Sequence, residues 1–95
     1  MASKIPDTGR KTVSTTAAQI VASGTVAAIG LQIYADSSNT NPVFIGDSTV
    51  TANAADATDG FPIPPGGSLL IPIVQVGELY ARVAASTETI WWMVI

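Results

Sequence analysis

The chain of 95 residues contains no cysteine and no histidine. Without cysteine, the protein can form neither a disulfide framework nor a thiolate metal site. Without histidine, it lacks the side chain that most often serves as a general base or as a transition-metal ligand. Composition alone therefore excludes disulfide-stabilised scaffolds and histidine-based catalysis.

Charged residues are also scarce, at 12% of the chain, about half of the usual ~25%. Residues 1–11 hold Lys4, Arg10 and Lys11 against one acidic residue, a charge of +2, whereas residues 12–95 hold one arginine against six acidic residues, a charge of −5. An acidic body repels the phosphates of nucleic acid, so we expect no nucleic-acid partner. A short basic segment of this kind is typical of a solvated tail, and its functional interpretation is a tether to an acidic partner.

The sequence has no long leucine-rich apolar run. Residues 12–35 are uncharged and follow two basic residues, as in a signal peptide or a membrane span. Glycine, serine, threonine and glutamine interrupt this stretch repeatedly, which is unlike an inserted segment. We therefore expect no signal peptide, no transmembrane segment and no membrane partner.

Short patterns with a period of two predict β-strands instead. Within residues 26–35, Ile29, Leu31, Ile33 and Ala35 alternate with polar or small residues, which predicts one buried strand face. The prolines of FPIPPGGS (residues 61–68) exclude helix and central strand, and favour an edge segment closed by a Pro-Gly turn. We predict an all-β fold, a small antiparallel, jelly-roll-like β-sandwich over residues 12–95 behind a flexible basic arm over residues 1–11.

The end of the chain predicts an oligomer interface. Residues 79–85 and 90–95 are two apolar strands that we expect to form a hairpin across a loop centred on Thr87-Glu88. Neighbouring residues on a strand point to opposite faces, so Trp91 and Trp92 must do so as well. One of the two faces lies outside the sandwich and needs cover from another subunit. The residues that we assign to that interface are Tyr80, Arg82, Trp91, Met93 and Ile95.

No constellation for catalysis is present. The many Ser and Thr residues have no histidine beside them, and the lysines lie in the arm. Asp56 and Asp59 are paired carboxylates in a segment that we interpret as a solvated loop. We therefore predict no enzymatic activity, no cofactor and no metal.

Exposed aromatic side chains could bind a carbohydrate. Tyr34, Tyr80 and one tryptophan are candidates for stacking on sugar rings. Burial of these side chains in the core or in a subunit interface is the favoured interpretation.

Three short segments resemble a family of small phage structural proteins: Ile45-Gly46-Asp47 after a strand, the turn Pro65-Gly66-Gly67, and the strand Glu78-Leu79-Tyr80-Ala81 before an apolar terminus. The resemblance covers residues 26–95. Members of this family are β-sandwich or jelly-roll modules of virions, namely capsid decoration or cement proteins, head fibres and tail accessory modules. The proline-dense FPIPP and the Trp91-Trp92 pair depart from the simplest form of this pattern.

The resemblance implies a bacteriophage virion protein on the capsid surface, which forms a homotrimer and cements the major capsid protein. Lys4, Arg10 and Lys11 are then the candidate capsid contacts. A second hypothesis is a tail or fibre accessory module that binds a carbohydrate of the host surface.

Overall fold

A computed structural model describes residues 7–52 and 60–95 of the protein. The strands in this part of the chain are β1 Thr8–Val13, β2 Ala18–Gln19, β3 Leu31–Ala35, β4 Val43–Gly46, β5 Phe61–Ile63, β6 Ser68–Ile71, β7 Tyr80–Arg82 and β8 Glu88–Val94. One 3-10 helix of three residues, Val76–Glu78, precedes β7. The predicted all-β fold is confirmed.

The strands form two antiparallel sheets. Sheet A has the order β1-β8-β3-β6 and sheet B the order β2-β7-β4-β5. The first strand pairs with the last, the second with the seventh, the third with the sixth and the fourth with the fifth, and successive pairs alternate between the sheets. This is the connectivity of a jelly roll, in which a long double ribbon is wrapped around one core.

The core lies between the two sheets and is made of alternate residues from each. Leu31, Ile33 and Ile90 of sheet A, like Val43 of sheet B, are fully buried. The buried strand face predicted for residues 26–35 is therefore confirmed from Leu31 onward, but not at Ile29, which is 61% exposed. The N–H groups of Ile29 and Gly30 both donate to the carbonyl of Ile95, so regular pairing begins only at Leu31.

The predicted terminal hairpin is wrong. Strand β7 lies in sheet B and β8 in sheet A, where β8 pairs with β1 and β3. Residues 83–87 carry the chain from one sheet to the other, with the N–H of Val83 donating to the carbonyl of Ser14 and with Ser86 at a φ of 61°. The prediction that Trp91 and Trp92 point to opposite faces is confirmed, since Trp92 packs against the core and Trp91 is exposed.

The predicted arm is too long. Residues 8–11 belong to β1, in which Thr8 pairs with Met93 and Lys11 pairs with Ile90. Gly9 makes this pairing feasible, because a Cβ at this position would lie 2.5 Å from Cζ2 of Trp92. The ring of Trp92 therefore occupies the space that a side chain at position 9 would fill. Residues 1–6 lie outside the described residues.

The proline-rich segment has the structure that its sequence predicts. Phe61–Ile63 is β5, the edge strand of sheet B. In the following turn the N–H of Gly67 donates to the carbonyl of Pro64 over 2.8 Å, and Gly66 has a φ of 80°, a conformation that favours glycine.

In the described ranges, no helix is long and apolar enough to cross a membrane.

Candidate interaction surface

The outer face of sheet A is formed by side chains from all four of its strands. Because Ile33 and Ile90 point into the core, the residues beside them in β3 and β8 point outward. Strand register then sets the neighbours of Trp91, which lies between Arg10 of β1 and Tyr34 of β3. We give the name sheet A platform to the part of this outer face around Trp91, which comprises Thr8, Arg10, Gln32, Tyr34, Ser68, Leu70, Trp91 and Met93.

The platform is aromatic and aliphatic at its centre. Trp91 is 44% exposed, Leu70 42% and Tyr34 39%. A shallow depression of about 350 Å³ lies among Arg10, Tyr34, Trp91 and Met93. Large apolar side chains that remain this exposed on one continuous face are typical of a surface that another molecule covers.

Trp91 is held between a cation and an anion. The guanidinium carbon of Arg10 lies 5.4 Å from the centroid of the indole ring, within the range of a cation–π contact. On the other side, Nε1 of Trp91 donates to Oδ2 of Asp36 over 3.3 Å. Hydrogen bonds from the backbone of Ser38, from Trp91 and from the hydroxyl of Ser38 lower the pKa of Asp36, and the positive charge of Arg10 lowers it further. The carboxylate is therefore negative at neutral pH.

The loop of residues 36–41 is fastened to β8 below the platform. Asn39, which is buried, accepts a hydrogen bond from the N–H of Thr89 and donates one to its carbonyl, both over 2.9 Å. The side-chain amide thus pairs with Thr89 as a neighbouring strand would. Since Asp36 also donates its N–H to the carbonyl of Thr89, the loop continues the edge of the sheet.

Glu88 is the second side chain that holds this loop to β8, and its role was not predicted from the sequence because Glu88 was expected in the loop of a hairpin. It is only 6% exposed and accepts hydrogen bonds from the N–H of Asn41 over 2.8 Å and from the hydroxyl of Thr40 over 3.0 Å. Burial raises the pKa of Glu88, but the hydrogen bonds from Asn41 and Thr40 outweigh it and leave the pKa below its usual range. The run DSSNTN, rich in side chains that bond to backbone, is the sequence signal for such a clamp.

The five residues predicted for the oligomer interface do not share one face. Trp91 and Met93 lie on the platform, whereas Tyr80 and Arg82 lie on β7 in sheet B. Arg82 donates to the carbonyl of Val50 over 3.3 Å. Ile95 bonds through its backbone to Gly30 at the end of sheet A. The predicted single face is therefore wrong, because it assumed a hairpin that does not form.

The predicted capsid contacts are divided as well. Arg10 belongs to the platform, while Lys11 lies opposite Ile90, on the other side of β1. Lys4 lies outside the described residues. Arg10 and Trp91, assigned from sequence to two different surfaces, are thus neighbours on one surface.

Sheet B carries a polar cleft of about 420 Å³ at one end, lined by Gln19, Asp47, Glu78 and Tyr80 among others. Nε2 of Gln19 donates to the carbonyl of Gly77 over 2.8 Å. The hydroxyl and then the N–H of Thr49 lower the pKa of Asp47 by hydrogen bonding. Tyr80, one of the aromatic side chains considered for sugar stacking, is therefore next to several hydrogen-bonding groups.

Within residues 7–52 and 60–95, no three side chains of the types His, Cys, Asp or Glu are grouped so that they could hold a metal ion. Asp56 and Asp59, the paired carboxylates of the sequence, lie outside the described residues.

No protein-family profile, no curated protein and no solved structure matches the chain.

Proposed function

We propose that the protein is a structural protein of a bacteriophage particle, a decoration or cement subunit that associates with itself and binds the assembled coat. The observation that carries this proposal is the sheet A platform, where Trp91, Tyr34 and Leu70 remain exposed on a jelly roll that already has a complete core. A surface of this kind supports a role in assembly. The phage setting comes from the resemblance of residues 26–95 to virion modules.

The mechanism is stabilisation by binding. A subunit that binds the assembled coat but not its dissociated proteins shifts the equilibrium toward the assembled shell by mass action. The subunit needs no chemistry for this role, only a rigid fold and complementary surfaces. Both sheets contribute buried side chains to one core, which gives the platform a rigid support.

The direct test is the protein content of particles. Phage particles from the strain that carries the coding sequence are purified on a density gradient, and peptides of this chain and of the major capsid protein are quantified by mass spectrometry. We expect a fixed copy number per capsid protein, retained after a high-salt wash. Absence of the chain from infectious particles would contradict the proposal.

Location on the particle separates the decoration role from a role in the tail. Gold-labelled antibody against the purified chain should mark heads under the electron microscope. Labels confined to tails or fibres would favour the second candidate function, a module that binds host carbohydrate.

That second candidate is favoured by the polar cleft of sheet B, where the ring of Tyr80 lies beside Gln19, Asp47 and Glu78. An aromatic ring with nearby amide and carboxylate groups is a suitable setting for a sugar ring and its hydroxyls. A glycan array probed with the purified protein tests it. Binding that Tyr80→Ala abolishes and Tyr34→Ala leaves intact would assign the carbohydrate site to this cleft.

A further inference from the structure

We infer that the sheet A platform is a self-complementary surface that packs against the platform of a second copy of this chain across a two-fold axis. The inference deepens the self-association in the proposed function and rests on it, but it does not depend on coat binding. Its central contact is Trp91 of one copy against Trp91 of the other. Two charge pairs flank this contact, each formed by Arg10 of one copy and Asp36 of the other.

The order of charges on the platform carries the inference. Arg10 lies over Trp91 from the side of β1, and Asp36 binds the indole N–H from the side of β3. An exposed aromatic ring therefore has a positive group on one side and a negative group on the other. A two-fold contact juxtaposes the same patch on both copies and requires that patch to be complementary to itself.

A two-fold axis that lies between the two platforms, close to Trp91 and perpendicular to the line from Arg10 to Asp36, exchanges the two charged ends. Arg10 of the first copy then faces Asp36 of the second, and Asp36 of the first faces Arg10 of the second. The apolar side chains Tyr34 and Trp91 come together between the two charge pairs and are covered. A patch of one sign only would be repelled by its own copy.

The size of the platform sets the strength of the contact. Four strands at a spacing of about 4.8 Å make a face roughly 20 Å wide. Along the seven residues of β8 the face is about 23 Å long, so a contact between two copies buries on the order of 900 Å² in total. This area is at the small end of protein interfaces, where association is weak or transient. We therefore expect a dimer that forms at high micromolar concentration and dissociates on dilution. The trimer expected from the sequence would instead need a head-to-tail contact between different patches.

The test is a charge exchange in the isolated protein. Molar mass is measured by sedimentation equilibrium from low to high micromolar concentration, where the native chain should shift from 9.7 kDa toward twice that value. Arg10→Glu and Asp36→Lys each place like charges in both flanking pairs, so each should weaken association at least tenfold. The double variant restores the native net charge and opposite charges both within and between copies, because Arg10 also acts on Asp36 of its own copy. An equimolar mixture of the two single variants restores opposite pairs only between copies, and both samples should recover most of the association. Recovery by the double variant but not by the mixture would place the pair within one copy and overturn the inference.

Two control variants match these changes in net charge. Lys11→Glu alters the charge of β1 by the same amount on the side that does not face the partner. Asp47→Lys removes a carboxylate that accepts from the N–H and hydroxyl of the second residue ahead, as Asp36 does, but on sheet B. Both controls should associate within about twofold of the native chain. Circular dichroism and melting temperature verify that each variant is folded.

A native chain that stays monomeric at all concentrations would overturn the inference while leaving coat binding open to the particle analysis. A native trimer would overturn the two-fold contact. A double variant no better than the single variants, or controls as defective as Arg10→Glu, would show that the Arg10–Asp36 pairs do not form and would overturn it as well.

Discussion

The outer faces of the two sheets differ in what they leave exposed. Sheet A is built from strands of four to seven residues around β8, and its outer face presents Trp91, Tyr34 and Leu70. Sheet B has strands of two to four residues, and its outer face carries the cleft at Tyr80, the guanidinium of Arg82, which bonds to the carbonyl of Val50, and Phe44 beside Pro62. One core thus supports a long, continuous outer face and a short, interrupted one.

The length of the strands and the register in which they pair therefore determine how far the platform extends. Outward rows of side chains occur on both sheets. In sheet A such a row crosses all four strands, as in Arg10, Trp91, Tyr34 and Ser68, whereas in sheet B it crosses three, as in Arg82, Phe44 and Pro62. In the row that contains Trp91, Arg10 and Tyr34 are its direct neighbours. The loop of residues 36–41 then adds the carboxylate of Asp36 at the edge of that row.

The largest effect should come from the two neighbouring tryptophans, which sharpen the contrast between inside and outside. Trp92→Ala removes a ring that packs against the core and covers Gly9, so it should destabilise the fold by about 3 kcal/mol. Trp91→Ala removes an exposed ring and should cost about 1 kcal/mol or less. Thermal unfolding of both variants compares them. Equal losses would contradict the assignment of the two faces.

A second, smaller effect is expected at Gly9. In Gly9→Ala the new Cβ would lie 2.5 Å from Cζ2 of Trp92, so the ring must move from the position in which it packs against the core. We expect a loss of about 1–3 kcal/mol, as for other overpacked sites. Thr8→Ala, at the neighbouring position on the outer face, is the matched control and should unfold close to the native temperature. A Gly9→Ala variant as stable as this control would mean that β1 does not pair with β8 as described.

The hydrogen bonds that Glu88 accepts from Thr40 and Asn41 should make the stability of the fold depend on pH. The pKa of folded Glu88 lies below its usual value of 4.5, so the stability that the carboxylate contributes is present above pH 4.5 and is lost as the pH falls through the lowered pKa. Melting temperatures of the native chain and of Glu88→Gln between pH 7 and pH 3 test this. The native advantage should shrink toward acid pH. An advantage that stays constant with pH would show that the charge of Glu88 has no part in the clamp.

The smallest effect should come from sheet B. Tyr80→Ala and Arg82→Ala change its outer face without touching the platform, so the self-association of the protein should stay within about twofold of native. Sedimentation equilibrium under identical conditions measures this. A loss of association as large as that of Arg10→Glu would move the interface to sheet B and contradict the contact between two platforms.

Local features were predictable from the sequence and long-range pairing was not. The alternation at Leu31, Ile33 and Ala35 and the Pro-Gly turn depend on neighbouring residues, and both are present. One of the two partners of β8 is β1, about 80 positions earlier in the chain, and no local pattern in Thr8–Val13 marks it as that partner. The hairpin assumed for β7 and β8 is locally as plausible as the crossover that the fold adopts.

The candidate surface was predictable only in part, for the same reason. An exposed tryptophan follows from the alternation of Trp91 and Trp92. Its contacts with Arg10 and Asp36 depend on sheet order, and the role of Glu88 depends on a loop 47 positions away in the chain at Asn41. Residues that meet through tertiary pairing carry no shared signal in the sequence.

The most direct test of the account is the solvent accessibility of Trp91 as a function of protein concentration. In Trp92→Phe, Trp91 is the remaining tryptophan, and quenching of its fluorescence by acrylamide reports its exposure. We predict strong quenching at low micromolar concentration, where the indole is 44% exposed, and weaker quenching at high micromolar concentration, where a second platform covers it. Quenching that stays equally strong over this range, with the variant folded, would contradict the claim that the platform is an interaction surface for its own copy.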